Sequence, residues 1–437
     1  MHARISLTLG FLLLLIGIGI NPLHAQNNRL RAAVVKTDIT PDNPQMLLGY
    51  GARESTGVHD PIYHRIVVLD DGDSKFYLVS SDICLISPSE YDRVAAMLEQ
   101  QFGIKKEAFW WSVTHTHSAP EVGPPGLPEA FLGDRYQHAF DTIYTNLVAK
   151  KLVVGIREAE AALKPAEMGV GWGYSNANIN RRARDIDDKA FLGMNPDGPV
   201  DRRIGILKIT DAATKDPVAL IANYPIHGTV MSGENLLISG DAPGIVSAYV
   251  EEQIGAPMLF INGAAGNIAP IYSVYPSPQA GKLNQFRALL GDKIIAAQKS
   301  ISPNVGEIKF QFGEMTMETP LKPGLKWPSA LKDYHSSAGG EGVNILLPIR
   351  FFKINPDIAI WSAPLELFCE ISNEVRDRSP FAYTFYYGYT NGWLGYLLTE
   401  QELKYGGYEP VVSPYVPSAG KQLRESVSAY LEGELKK

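Results

Sequence analysis

The chain has 437 residues, 45% hydrophobic and 20% charged, and its 21 Tyr, 16 Phe and 6 Trp supply ample core, which excludes long disorder. Its 40 basic and 47 acidic residues give a net charge of -7, which argues against nucleic acid as a partner, because phosphate binding needs a basic surface. Two cysteines exclude a disulfide-stapled miniature fold and a four-cysteine zinc module.

Residues 1–25 stand apart: His2 and Arg4, an apolar run from Ile5 to Ile20, then Asn21-Pro22 and Leu23-His24-Ala25. This is the layout of a secretory signal cleaved after Ala25, so the mature chain is expected to be secreted or periplasmic, without a transmembrane anchor. Cys84 and Cys369 are expected as two separately buried thiols.

Strand and helix signals alternate from there on. Residues 66–70 and 75–80 predict strands joined by a turn at Asp71-Gly72-Asp73. Ser87-Pro88-Ser89-Glu90 predicts a helix start with Ser87 as cap and Glu90 closing a capping box. Tyr91, Val94, Ala95, Leu98 and Phe102 share a face of that helix, and Gly103 ends it. Residues 109–113 read as strand, 136–163 as helix, 204–210 and 218–224 as paired strands, 242–254 as helix and 258–261 as strand. Residues 285–300 read as helix, 358–361 as a strand followed by a helix, and 420–435 as a closing helix. The alternation predicts an α/β layered fold with a large mixed central β-sheet flanked by helices, one domain over 26–437.

Four of the nine histidines lie at or beside predicted strand ends: His64, His115, His117 and His227. Strand ends in layered α/β folds are where ligands bind. In Thr114-His115-Thr116-His117-Ser118, continued strand alternation points both imidazoles to one side, an arrangement suited to a divalent metal such as zinc. His227 follows a strand in Pro225-Ile226-His227-Gly228. Asp241, in Ser239-Gly240-Asp241, reads as capping a helix start. Asn262-Gly263-Ala264-Ala265-Gly266-Asn267 reads either as a place where backbone approaches a substrate or as a tight turn packed under a helix. Glu366 either completes a metal site or caps a helix. The aromatic, glycine-rich stretch of Asn391-Gly392-Trp393-Leu394-Gly395-Tyr396-Leu397-Leu398-Thr399 and Gly406-Gly407-Tyr408-Glu409 suggests a substrate-binding surface.

The order of these motifs resembles the neutral (non-lysosomal) ceramidases, zinc-dependent amidases that split ceramide into sphingosine and fatty acid. The resemblance starts at Lys36-Thr37-Asp38-Ile39-Thr40-Pro41, Gly49-Tyr50-Gly51 and Gly57-Val58-His59-Asp60-Pro61. It runs through Thr114–Ser118, Asn178-Ile179-Asn180-Arg181, His227, Ser239-Gly240-Asp241 and Gly266-Asn267-Ile268-Ala269-Pro270, and ends with Glu366, Tyr396 and Tyr408. It covers about residues 30–410. It implies zinc (Zn2+) held by His115, His227, Glu366 and Tyr396, with His117, Arg181 and Tyr408 as catalytic or substrate-positioning groups. It also implies a lipid-like N-acyl substrate. Two features depart from the family pattern. Gly263 stands where the family carries a proposed serine nucleophile and Asn267 where it carries aspartate, which leaves zinc-activated water as the expected nucleophile. The chain also ends soon after Tyr408, so a catalytic domain without the C-terminal immunoglobulin-like domain is expected. The alternatives are the same zinc site acting on an ester or glycan, or a non-catalytic binding protein on the same fold.

Overall fold

The computed structural model describes residues 30–274, 282–304, 306–337 and 342–434. The expected signal segment, 1–25, lies outside the described residues. Among the described residues, no helix is long and apolar enough to cross a membrane.

The larger sheet has eight strands: β1 (Arg31–Asp38), β2 (Tyr63–Asp70), β3 (Lys75–Ser81), β4 (Phe109–Val113), β5 (Lys164–Tyr174), β6 (Arg203–Asp211), β7 (Pro217–Tyr224) and β8 (Met258–Asn262). Their spatial order is β8-β7-β6-β5-β1-β2-β3-β4. The pairs β3/β4 and β7/β8 are parallel and the others antiparallel, as a mixed sheet requires. A second sheet contains β9 (Phe310–Pro320), β10 (Val343–Ile354), β11 (Ile358–Ser362) and β12 (Tyr383–Tyr387). Phe76 of β3 stacks on Phe352 of β10 with ring centroids 4.0 Å apart, at the centre of an apolar layer between the sheets.

Helices cover the outer faces. Tyr91, Val94 and Leu98 of α1 (Pro88–Phe102) and Val148, Leu152 and Ile156 of α2 (Thr142–Ala161) pack on the outward residues of β2 and β3. Val246 and Val250 of α3 (Asp241–Ile254) and Ile294 of α4 (Asp292–Lys299) pack on β6 to β8. Helices α5 (Cys369–Arg378) and α6 (Ala419–Glu434) lie over the second sheet. The expected layered α/β fold is present, with one addition: the inner face of the large sheet meets a second sheet rather than helices.

Several local expectations change. Ser87 does not cap α1 with its side chain. Its hydroxyl lies 2.8 Å from that of Ser89, and Glu90 pairs with Arg93 rather than closing a capping box. The helix read from 136 starts at Thr142, because the Asp141 carboxylate accepts the Tyr144 N–H at 2.8 Å and fixes the first turn there. The helix read over 285–300 opens with a π-helical turn at Arg287–Gly291. Strand β5 was hidden by Gly169, Gly171 and Gly173, which resemble breakers. A Cβ at the first two would meet Ile301 at 2.7 Å and at the third Ala297 at 2.8 Å, so the glycines admit the segment packed across the strand.

The twist of the large sheet positions the site. Strands β4 and β7 run in opposite senses, so on a flat sheet their C-terminal ends would lie on opposite edges. A twist of about 20–25° per neighbouring pair accumulates toward half a turn across such a sheet. Its edges approach: the Ser80 hydroxyl donates to the Phe260 carbonyl at 2.6 Å, and Asn262 Nδ2 to the Thr114 carbonyl at 3.2 Å. The loops after β4 and β7 then meet at the Thr116–Gly228 bridge.

His64 belongs to this scaffold and not to a site. Its ring is fully buried on β2, 2.6 Å from the Ser81 hydroxyl and 3.1 Å from the Val148 carbonyl. Burial pushes its pKa down to about 4. Because the folded value is depressed, its stabilisation is present above pH ~6.5 and lost as pH falls through the folded value, a change of about 3 kcal/mol. His64→Gln should flatten the fall in unfolding free energy over that window; an unchanged slope would contradict this assignment.

Candidate metal centre

Strand ends from both sheets deliver the site. His115 and His117 follow β4, His227 follows β7, and Glu366 follows β11 in a two-residue strand that pairs with Tyr396-Leu397. The ligand-type atoms of His115, His227 and Glu366 lie within 4.8 Å of one another, and all three residues are buried. Glu366 Oε2 is 3.1 Å from His227 Nε2 and 3.4 Å from His115 Nε2. The Tyr396 hydroxyl is 3.5 Å from His227 Nε2.

Each donor is oriented from behind. His115 Nδ1 is 2.9 Å from the Cys84 carbonyl and His227 Nδ1 is 2.9 Å from the Ile268 carbonyl, so both Nε2 atoms face the cluster with lone pairs free. Trp393 Nε1–H donates to Glu366 Oε1 at 2.9 Å and the Tyr389 hydroxyl to Oε2 at 3.3 Å. Tyr389 also stacks on His115, ring centroids 4.3 Å apart. Arg181 donates to the Tyr396 hydroxyl at 3.0 Å and to Glu409 at 3.0 Å.

The strand does not continue through His115, whose φ is 59°. The alternation argument therefore fails, yet its outcome holds: the turn brings His117 Nε2 to 3.1 Å from His115 Nε2. Tyr389 and Asn391 also have positive φ, at 52° and 66°. Non-glycine residues in this region carry strain, held here by packing around the cluster.

The electrostatics suit a cation. Burial would raise the Glu366 carboxyl, but the His115 and His227 imidazoles beside it hold it well below the usual carboxylate range. Burial and the Arg181 guanidinium push His227 down to about 3. Burial, with His115 and His227 close by, pushes His117 well below the usual histidine value. Burial raises Tyr396 well above the usual phenol value, and burial with Glu366 nearby raises Tyr408 to about 12. Among the described residues, the only ion-pair partners of Glu366 are the two imidazoles. Two imidazoles, one carboxylate and one phenol form a donor set that fits zinc with room for a further ligand. Cys84, His115 and His117 form a second group of ligand-type atoms. Burial raises the Cys84 thiol well above its usual value, so the thiolate that metal binding requires is disfavoured.

The structure thus places His115, His117, Arg181, His227, Glu366, Tyr396 and Tyr408 around one point. His117 borders the cluster, Arg181 lies behind Tyr396, and the Tyr408 ring is 5.9 Å from that of Tyr396. Sequence reasoning missed Tyr389, Trp393 and Glu409. The aromatic, glycine-rich stretch held Trp393 and Glu409, but its signal spoke only of a surface, and Tyr389 lies just before it.

The other motifs are struts. Gly57-Val58 pairs with Leu237-Ile238, and the Asp60 carboxylate accepts from the Ser239 hydroxyl and from Gly240 N at 2.9 Å. Ser239 N–H donates to the Ser118 carbonyl at 2.8 Å, which ties this loop to the histidine loop. Asp241 is the first residue of α3 and not its cap, which is Gly240; its carboxylate instead accepts from Val230 N at 3.0 Å and Met231 N at 2.9 Å, bracing the loop after His227. Gly266 and Asn267 follow the tight-turn reading. A Cβ on Gly266 would meet the Glu366 carbonyl at 2.6 Å, and Asn267 accepts the Cys369 N–H at 3.0 Å. Cys84 and Cys369 are both buried and unpaired, as expected.

Gly263 does not line the cavity beside the cluster. A cavity of about 30 Å³ beside the cluster is lined by His115, His117, Glu366, Tyr396 and Tyr408 together with apolar side chains, and no Ser, Thr or Cys is among them. Gly263 instead faces Pro225, which its Cβ would meet at 3.1 Å. Ser112 bonds Thr390, Ser118 accepts from Asn235, and Ser239 bonds Asp60.

The model of the family described as neutral/alkaline non-lysosomal ceramidase, N-terminal, matches residues 31–272. The chain is 27% identical over 268 residues to neutral ceramidase of Pseudomonas aeruginosa, a match covering 58% of this chain and 39% of that protein. It is 31% identical over 265 residues to neutral ceramidase B of Dictyostelium discoideum, covering 56% of this chain and 34% of that protein. The crystal structure of neutral ceramidase from Pseudomonas aeruginosa has the same fold, with a TM-score of 0.72 at 21% identity over 93% of this chain and 75% of that one.

Gly49 gives a test of the packing. At φ +96° it lies against His117, whose Cγ a Cβ would meet at 2.4 Å. Gly49→Ala should cost about 1–3 kcal/mol by overpacking, read as a lower melting temperature. An unchanged melting temperature would show that the ring is not confined there.

Proposed function

The chain belongs to the neutral/alkaline non-lysosomal ceramidase family, and from that premise we propose that it is a zinc-dependent amidohydrolase cleaving an N-acyl amide of ceramide type. The observation that carries this reading is a buried carboxylate, Glu366, paired with two imidazoles and with no Lys or Arg among the described residues. His115, His227, Glu366 and Tyr396 would hold the zinc. Bound there, zinc supplies Lewis-acid polarisation of the scissile carbonyl and a water pKa lowered toward ~7.

The chain's own groups divide the remaining work. His117 Nε2, facing the cluster, takes a proton from the attacking water and returns it to the amide nitrogen as the C–N bond breaks, leaving carboxylic acid and amine. Arg181 fixes the Tyr396 hydroxyl by direct donation. Tyr408 lines the cavity, and its hydroxyl would donate to the oxyanion. Gly263 has no side chain to attack with, and the cavity against the cluster is lined by no serine, threonine or cysteine, which supports water as the attacking group. An N-terminal signal over 1–25 would export the enzyme.

His115→Ala, His227→Ala and Glu366→Ala should each lower zinc content and abolish hydrolysis. His117→Ala should keep the zinc but lose activity by about 10²–10⁴-fold. Metal analysis with ceramide turnover separates these outcomes, and wild-type zinc in all three ligand variants would contradict the assignment. Mass spectrometry on enzyme quenched during turnover should find no acyl adduct. An acyl group on Ser112, Ser118 or Ser239 would replace water with a serine nucleophile.

A further inference from the structure

Another group of ligand-type side chains lies apart from His115, His227 and Glu366. Glu121, Glu129 and His138 each offer one such atom, and the three atoms lie within 4.8 Å of one another. Among the described residues, no Lys or Arg pairs with either carboxylate. His138 Nε2 stands 3.6 Å from Glu121 Oε1, too far for a hydrogen bond.

Each donor is set from behind. Cys84 N–H donates to the Pro120 carbonyl and Val122 N–H to the Leu85 carbonyl, both at 2.9 Å, which fixes the backbone on either side of Glu121. The Tyr136 hydroxyl donates to Glu121 Oε2 at 3.2 Å. Gly126 N–H donates to Glu129 Oε2 at 2.6 Å, whereas Glu129 Oε1 is buried and has no hydrogen-bond partner. His138 Nδ1 donates to the Tyr136 carbonyl at 2.8 Å, so Nε2 keeps its lone pair on the side of Glu121. The His138 side chain is only 10% exposed and that of Glu121 12%.

Two carboxylates this close repel unless a proton or a cation lies between them. A shared proton would satisfy one pair of oxygens and leave the His138 lone pair unmet. A divalent cation takes all three donors at once. We propose that Glu121, Glu129 and His138 form a second metal site, which holds a divalent cation of manganese type. Such a cation accepts carboxylate and imidazole together, and the two carboxylates balance its charge. The partial exposure of the group leaves room for water to complete the coordination.

The site is structural, and it does not depend on the amidase reading. The ion would tie Glu121, just beyond the histidine loop, to the helix Leu127–Leu132 and to the chain that follows it. Phe131, Leu132 and Tyr136 of that segment line the cavity beside His115 and Glu366. The second ion therefore steadies one wall of the first centre.

The test uses the full chain carrying one equivalent of zinc, with manganese(II) added and its free form counted by electron paramagnetic resonance. The wild type should bind about one manganese per chain. Glu121→Gln and Glu129→Gln should each lose it while retaining the zinc, which also shows that the variants fold. Manganese should further slow hydrogen exchange in wild-type peptides spanning 124–138 by at least ~10-fold, as expected when a bound ion suppresses local opening. No manganese bound by the wild type, or binding unchanged in both variants, would overturn the proposal, as would unchanged exchange over 124–138. Failure of the first centre would be read separately, as a wild type that takes up manganese but not zinc.

Discussion

Glu366 is 3% exposed, and its carboxylate lies between two buried imidazoles. An isolated carboxylate in such a place is costly enough that proteins protonate it or pair it. The surrounding cations are already engaged: Arg181 and Arg182 both pair with Glu409, and Arg182 also pairs with Glu402. What remains around Glu366 is a set of lone pairs, from His115 Nε2, His227 Nε2 and the Tyr396 oxygen. A divalent cation satisfies all of them at once, and the carboxylate supplies half of its charge.

That requirement explains the architecture around the site. The four donors come from loops after strands of two different sheets, and the twist of the large sheet is what brings its opposed strands to one place. The loops are then held by polar struts that never touch the cluster. Asp60 fixes Ser239 and Gly240, Ser239 fixes Ser118, and Asp241 fixes the backbone after His227. The motif residues that surround the histidines in sequence order thus act by geometry: they confine loops whose own backbone, at His115, is strained.

Much of this was legible in the sequence, for reasons that differ by residue. Strands such as Phe109–Val113 declared themselves through β-branched and aromatic runs, and the layered class followed from alternation. The glycine-bearing strand Lys164–Tyr174 and the long strands of the second sheet were not visible, because their packing partners lie far away in sequence. His115 and His117 were found as a pair, although the strand geometry invoked for them ends before His115. Convergence of His227 and Glu366 on that pair is a long-range fact that spacing does not encode; only the resemblance linked them. Trp393 and Tyr389 stayed hidden because an indole or phenol bonded to a buried carboxylate reads in sequence as ordinary aromatic core.

The central claim is that the centre binds zinc through two imidazoles and oxygen donors. X-ray absorption at the zinc edge on purified, metal-loaded protein tests it most directly. The account predicts two imidazole ligands with nitrogen and oxygen scatterers at about 2.0–2.2 Å and no sulfur. A sulfur scatterer at about 2.3 Å would place the metal on Cys84 with His115 and His117 instead, and the assignment of His227 and Glu366 as ligands would be wrong.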